Sequence, residues 1–361
     1  MTAFSRPPGC EMRSSPAAMP RMRMFAPSRP RVADPRGFDT ASPADNGRPV
    51  DREGSVIGLT RTTCTESHDL LVRAQLRPRS LHVSAADGTA LAVRVWGDGP
   101  PLVLVNGITT SDFFWRHLLP GWAAQRTVVT WDFKGHGDSD PAATTEGTTI
   151  EACADDLRRV FDALAIEHAP VVGFSMGSQV VLEASRTMSD RFDAIVSLLG
   201  PAGRLFDTAL APFGAGIRMF LRRLPKPGVH PALRGLHASM YTPGVETLVR
   251  WLGLIGHVPA PDVLAFKRHF GRLHAPTVTA MALSAGEHDA RDVLPDLRPP
   301  LLVIAGDRDR FAPASTVGVA IAGQARDAEL VRLPGGTHTA LFEMPVPIGA
   351  AIDAFLERRL R

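Results

Sequence analysis

The residues best placed to do chemistry sit in Val171-Val172-Gly173-Phe174-Ser175-Met176-Gly177-Ser178. A short apolar run ends at Gly173, and an apolar helical pattern resumes at Gln179-Val180-Val181-Leu182. The G-x-S-x-G between them predicts a strand, a sharp turn and a helix, with Ser175 at the apex. The glycines have a mechanical reason: the apex residue holds strained backbone angles, and side chains at 173 and 177 would collide with the neighbouring strand and helix. A serine hydroxyl is a weak nucleophile until a base takes its proton, and histidine titrates near neutral pH. A buried carboxylate can hold the imidazole in one tautomer and stabilise its charge. Both partners follow downstream in order, acids in Gly306-Asp307-Arg308-Asp309 and a histidine in Gly335-Gly336-Thr337-His338. The two acids are two residues apart, and residue types alone leave both open.

The elements that must position these groups can be read from periodicity. Residues 80–84 and 90–96 alternate around Asp87-Gly88, which predicts an antiparallel hairpin. Pro101-Leu102-Val103-Leu104-Val105 is a continuous apolar run of the kind found in strands buried on both faces, and residues 126–131 form the next. Between them, Ser111-Asp112 is expected to cap a helix running through Phe113-Phe114-Trp115 to Trp122. A helix is predicted from 149 to 166, with apolar residues at Cys153, Leu157, Val160, Phe161 and Leu164, and the helix after Ser175 runs to about 188. Further strands are predicted at 194–199, 301–305 and 329–333. Strands alternating with helices imply a mostly parallel, twisted sheet covered on both faces. The alternation stops at Gly200-Pro201, and residues 201–280 are mainly helical in pattern, with apolar helices over 210–224 and 246–258. A helical insert between two halves of one sheet should sit as a lid over the strand ends, where open α/β sheets bind ligands. The expected organisation is therefore a core over 79–200 and 281–361 with a lid over 201–280.

Composition excludes several classes. With 361 residues, 44% hydrophobic and 21% charged, the chain has the make-up of a globular protein with ample core. No apolar run reaches the roughly 18 residues of a membrane-spanning helix. Cys10, Cys64 and Cys153 are odd in number and in no metal-binding pattern, which fits a reducing, cytoplasmic setting. Residues 1–80 carry 13 Arg, no Lys and 8 acidic residues, a net +5 against +3 for the whole chain, so the remainder is slightly acidic and no nucleic-acid partner is expected. Residues 1–75 are rich in Pro, Arg, Ser and Ala, show no periodicity and are expected to be a disordered extension. No H-E-x-x-H or similar spacing implies a metal, and no glycine-rich phosphate loop implies a nucleotide, so no cofactor is expected.

Five markers in this order and spacing resemble the α/β-hydrolase superfamily, in particular its lidded serine hydrolases. They are Asn106-Gly107 after a strand, Asp132-x-Lys134-Gly135-His136-Gly137-x-Ser139, the serine turn, Gly306-x-x-Asp309-x-x-x-Pro313, and His338 followed by Glu343-x-Pro345. The resemblance covers about residues 80–361 and implies that Ser175 is the nucleophile, His338 the general base and then acid, and Asp309 the orienting carboxylate. Asp307 becomes a turn or cap residue; Asp207 is a remoter candidate, because some members take the acid from after the preceding strand. The oxyanion hole would be the backbone N–H groups of Ile108 and Met176. Asn106 stands where the family commonly has His, and Lys134 where it commonly has Arg. His136 and the pair His288-Asp289 read as structural.

A serine at the apex, where dehalogenases and epoxide hydrolases of this fold carry aspartate, points to an acyl-enzyme. The apolar lid sequence, with Phe213 and Trp251, together with Phe113 and Trp115, suggests a hydrophobic pocket. The expected function is hydrolysis of a small to medium apolar carboxylic ester or lactone. A C–C bond hydrolase and a non-catalytic, receptor-like binding protein of the same fold are the competing expectations. The amphipathic, basic stretch over 217–223 suits weak contact with a lipid surface but no membrane span.

Overall fold

The computed structural model describes residues 77–208 and 255–360, with isolated positions between them. The expected extension over 1–75 lies outside the described residues, as do most residues of the expected helices over 210–224 and 246–258.

The order of elements is β1 (Arg79–Ser84), β2 (Ala90–Trp96), β3 (Pro101–Val105), β4 (Thr127–Trp131), α1 (Ile150–Ala163), β5 (Ala169–Phe174), α2 (Met176–Met188), β6 (Phe192–Leu198), α3 (Ala260–Phe270), α4 (Ala275–Glu287), β7 (Leu301–Gly306), β8 (Ala328–Leu333) and α5 (Pro345–Arg359). The eight strands form one sheet in the order β1-β2-β4-β3-β5-β6-β7-β8. β1 and β2 pair antiparallel through a turn in which Gly88 takes φ +83°, and β2 pairs antiparallel with β4. From β4 to β8 every pairing is parallel.

The central strands β5 and β7 are buried at every position, which is why their sequences are unbroken apolar runs. One face of the sheet packs on α1, α2 and α4 through Leu157, Phe161, Val180 and Met281. The other packs on α5 and the segment after β3 through Trp115, Trp122, Ile352 and Phe355. α1 begins where Thr149 accepts the Ala152 N–H at 3.1 Å, a side-chain N-cap. Its neighbour α4 runs from 275 to 287, across the expected lid boundary at 280, and buries Met281 and Ala285 in the sheet-facing core.

The single helix expected from 112 to 122 is instead a 3-10 turn, Asp112–Trp115, and a separate short helix, Leu119–Ala123. Pro120 explains the restart, because a residue without an N–H is tolerated only in a first helical turn. The Ser111 side chain makes no capping bond.

β5 and α2 are joined by Ser175 alone, and the crossing is tight. A Cβ on Gly177 would lie 2.5 Å from the Val105 carbonyl oxygen and 2.6 Å from that of Asn106, both fixed main-chain atoms at the end of β3. Gly177→Ala should therefore lower unfolding stability by about 1–3 kcal/mol, the usual range for overpacking. The control Gly121→Ala, in a helix with nothing within 4 Å of the new methyl, should be neutral or slightly stabilising in the same urea titration.

Candidate active site

The sharp turn after β5 puts Ser175 at φ +53°, ψ −120°, a region a serine occupies only under constraint. Its Oγ lies 2.9 Å from His338 Nε2. His338 Nδ1 lies 2.9 Å from Asp309 Oδ2, and the other carboxylate oxygen accepts the N–H groups of Phe311 at 2.7 Å and Ala312 at 3.0 Å. The Asp309 side chain is fully buried, and the imidazole is partly exposed. With Asp309 accepting at Nδ1, the tautomer that leaves Nε2 free to accept the serine proton is the one favoured.

Three groups from three different loops are thus joined in one line of hydrogen bonds. The other two acids lie elsewhere. Asp307 Oδ1 accepts from Arg332 Nε at 2.9 Å and Nη2 at 2.7 Å in an exposed pair on the rim of β8. Asp207 lies in a short helix, Leu205–Thr208, within electrostatic reach of Arg291.

The loop after β3 approaches from the opposite side. Asn106 is buried and bonded at both ends of its amide: Nδ2 donates to the Trp131 carbonyl at 2.6 Å, and Oδ1 accepts from Trp115 Nε1 at 2.8 Å. Its side chain therefore ties β3 to β4 and to the following 3-10 turn. The Ile108 N–H has no hydrogen-bond partner among the described residues. Neither has the N–H of Met176, which opens α2, where the first-turn N–H groups have no intrahelical acceptor. These two donors flank Ser175 in the chain and in the loop packed against it.

The proposed pocket residues separate. Trp115 lies in the core with no exposed surface, its indole N–H spent on Asn106. Phe113 is partly exposed and packs beside Phe114, Phe342 and His269. Phe213 and Trp251 lie outside the described residues, as does the basic stretch over 217–223 apart from Met219, which is exposed. The sequence reading missed Phe311 and Phe174, whose rings flank His338 with centroids at 4.6 and 5.5 Å. It also missed the acceptor role of Glu343, which takes hydrogen bonds from Thr337 and Thr339, the residues either side of His338. Thr339 Oγ1 in turn accepts the Gly256 N–H at 3.0 Å, joining the histidine loop to the segment that leads into α3. The spacing Thr-His-Thr before a Glu was the available signal.

His136 is buried in the turn after β4, its Nδ1 bonded to the Lys134 carbonyl and its Nε2 to the Thr109 N–H, each at 3.0 Å. His288 bonds Glu183 at 2.8 Å, while Asp289 pairs with Arg291. Among the described residues, Glu151, Glu183 and His288 bring possible ligand atoms within 4.8 Å of one another, but the same Glu183 oxygen is also taken by Arg186 Nε at 2.8 Å. No helix among the described residues is long and apolar enough to cross a membrane.

The chain belongs to the alpha/beta hydrolase fold family, whose model matches residues 100–345, and it is a hydrolase of that class. It is 28% identical over 263 residues to the dihydrolipoyllysine-residue acetyltransferase component of the acetoin cleaving system of Pseudomonas putida, covering 72% of this chain and 64% of that one. It is 28% identical over 281 residues to the pimeloyl-[acyl-carrier protein] methyl ester esterase of Xylella fastidiosa, covering 73% of this chain and 98% of that protein. Among solved structures, a hydrolase from Pseudomonas aeruginosa superposes with a TM-score of 0.62 at 24% identity, covering 77% of this chain and 98% of that one, and shares the fold.

Two buried histidines give this region a pH signature. Burial lowers the pKa of His136 to about 4; burial, followed by the charge of His136, lowers that of His269 to about 3. In the unfolded chain both titrate near 6.5, so at these two positions the unfolded state binds more protons between those values and their own contribution to stability falls with acidification. Their contribution should be fully present above pH ~7 and decline between about pH 6.5 and 4, by up to about 1.4 kcal/mol per pH unit for each histidine. Among the described residues neither nitrogen of His269 has a hydrogen-bond partner, so His269→Leu should fold and should reduce that slope by about one proton when urea stability is measured across pH.

Proposed function

We propose that the protein hydrolyses a carboxylic ester or lactone of small to medium size and apolar character through an acyl-enzyme on Ser175. The observation that carries the reading is the continuous hydrogen-bonded line Ser175 Oγ, His338 Nε2, His338 Nδ1, Asp309 Oδ2, with each contact at 2.9 Å. As Ser175 Oγ attacks the carbonyl carbon, His338 Nε2 takes its proton, and the Asp309 carboxylate stabilises the imidazolium. The carbonyl oxygen becomes an oxyanion received by the N–H groups of Ile108 and Met176, which have no partner among the described residues, a contribution of about 10²–10³ in rate for one such donor.

His338 then protonates the departing alkoxide, leaving the acyl group on Ser175. A water molecule, deprotonated by the same nitrogen, cleaves that ester, releasing the carboxylic acid and restoring the hydroxyl. In a lactone the departing alkoxide is part of the acyl chain, so it stays attached throughout and the second step releases a single hydroxy acid. The segment over 201–280 is assigned as the lid that admits substrate, and the aromatic surroundings of Phe113, Phe174 and Phe311 favour an apolar acyl or alcohol group. The likeness to an esterase of a methyl ester, at 28% identity over nearly that protein's whole length, supports the ester class.

Steady-state kinetics on p-nitrophenyl esters of increasing acyl length test the reading. Turnover is expected on the shorter chains and its loss in Ser175→Ala; a folded enzyme inert to the whole series and to simple lactones would refute it. Within the series, Asp309→Asn should cost about 10⁴ in kcat, as expected for an imidazole held in the wrong tautomer. Asp307→Asn, which removes only an exposed ion pair with Arg332, should stay within about threefold of the parent. Equal losses in the two variants would remove Asp309 from its assigned role.

A further inference from the structure

Within the reaction proposed above, we infer that His136 is a positioning residue: it fixes the peptide plane next to the Ile108 oxyanion donor by accepting the Thr109 N–H on Nε2. The sequence places His136 in a glycine-rich turn, where its role reads as local. The structure gives it a second duty.

Two peptide planes meet at the Ile108 Cα; the Ile108 N–H lies in the first, and the second ties that stretch of loop to His136. The first contains the Gly107 carbonyl together with the Ile108 N–H. That carbonyl is taken by Thr110 twice, by its N–H at 3.3 Å and its Oγ1 at 2.9 Å, which points the Ile108 N–H of the same plane the other way. The second plane contains the Ile108 carbonyl and the Thr109 N–H. Its N–H runs 3.0 Å into His136 Nε2, and no other acceptor among the described residues takes it. Thr109 stands at φ +61°, a left-handed conformation that is strained for a β-branched residue and persists only when neighbours over-determine it. Without the bond to His136, Thr109 can relax out of the left-handed region, which displaces Thr110, loosens its two hydrogen bonds to the Gly107 carbonyl and so releases the plane that carries the Ile108 N–H.

The imidazole is suited to this because its own state is fixed. Nδ1 donates to the Lys134 carbonyl at 3.0 Å, so Nε2 carries the lone pair. The ring is 1% exposed and packed against Phe133 and His269, and its main chain is held by the Phe133 carbonyl at 2.9 Å. The other tautomer, or the imidazolium, would set an N–H against the Thr109 N–H. Burial lowers the pKa to about 4, so the neutral ring is the form present at neutral pH.

Two measurements test the inference. Histidine nitrogen NMR of the unmodified protein should show His136 wholly as the neutral Nδ1–H tautomer at pH 7, with a through-hydrogen-bond coupling between Thr109 N and His136 Nε2. An Nε2–H tautomer or an imidazolium would overturn it without reference to activity. In kinetics, His136→Phe should lower kcat by about 10–100-fold with KM within about twofold. Affinity for an aliphatic trifluoromethyl ketone, which mimics the tetrahedral oxyanion, should fall by the same factor. His136→Gln, whose Oε1 can accept the Thr109 N–H, should recover at least a third of the parent kcat, and the midpoint of the acid limb of the rate profile should not move. A kcat within twofold of the parent, or a kcat loss with ketone affinity unchanged, would show a merely structural turn. Inactivity of the unmodified enzyme on every ester would instead count against the proposed function and leave the NMR result to decide the role of His136.

Discussion

The structure depends on holding one serine where serine does not rest. Ser175 at φ +53°, ψ −120° carries a conformational cost of order 1–3 kcal/mol, and the surrounding backbone removes its alternatives. Its N–H is bonded to the Leu198 carbonyl at 3.0 Å, its carbonyl accepts the Ser178 N–H at 2.9 Å, and Ser178 Oγ reaches back to the Gly173 carbonyl at 2.9 Å. β5 is clamped between β3 and β6, so the strand cannot shift to relax the turn. Gly173 matters for the same reason: a Cβ there would lie 2.5 Å from the Gly177 carbonyl oxygen. The tight crossing brings the start of α2 against the end of β3, and so the N–H of Met176 into the neighbourhood of the loop that carries Ile108.

Around that turn, each participating loop is stabilised by hydrogen bonds from a buried or partly buried side chain. Asn106 and Trp115 brace the loop after β3, Asp309 folds under its own main chain at Phe311 and Ala312, and Glu343 gathers Thr337 and Thr339 around His338. Such contacts are short-range and leave little freedom, because losing one would strand a buried partner. The many ion pairs on the surface, such as Arg358 with Glu329 and Arg359 with Asp327, are exposed and contribute little by comparison.

Much of this was legible in the sequence, and the failures have physical causes. The strands were readable because burial on both faces forces unbroken apolar runs, as in Leu301–Gly306, and the turn was readable because only glycine fits at 173 and 177. Asp307 and Asp309 were not separable from residue types, since the difference is where a loop folds back beneath β7 and β8. Trp115 looked like a pocket wall because it sits in an aromatic run. Its actual partner, Asn106, is nine residues away, and that amide is itself oriented by Trp131, which becomes a neighbour only when β3 pairs with β4. The helix expected from 112 to 122 failed on Pro120, a residue the apolar periodicity ignores. His136 was correctly assigned to a turn, but one of its nitrogens serves a different loop, and no local pattern encodes that contact.

The central claim is that Ser175 carries the acyl group between the two halves of the reaction. Acid quenching within milliseconds of mixing with p-nitrophenyl butyrate, followed by intact-protein and peptide mass spectrometry, tests it most directly. The account predicts a transient butyryl adduct confined to the peptide containing Ser175, formed with the first burst of nitrophenol and absent in Ser175→Ala. Steady nitrophenol release with no adduct at any time, or an adduct on a different residue, would contradict it.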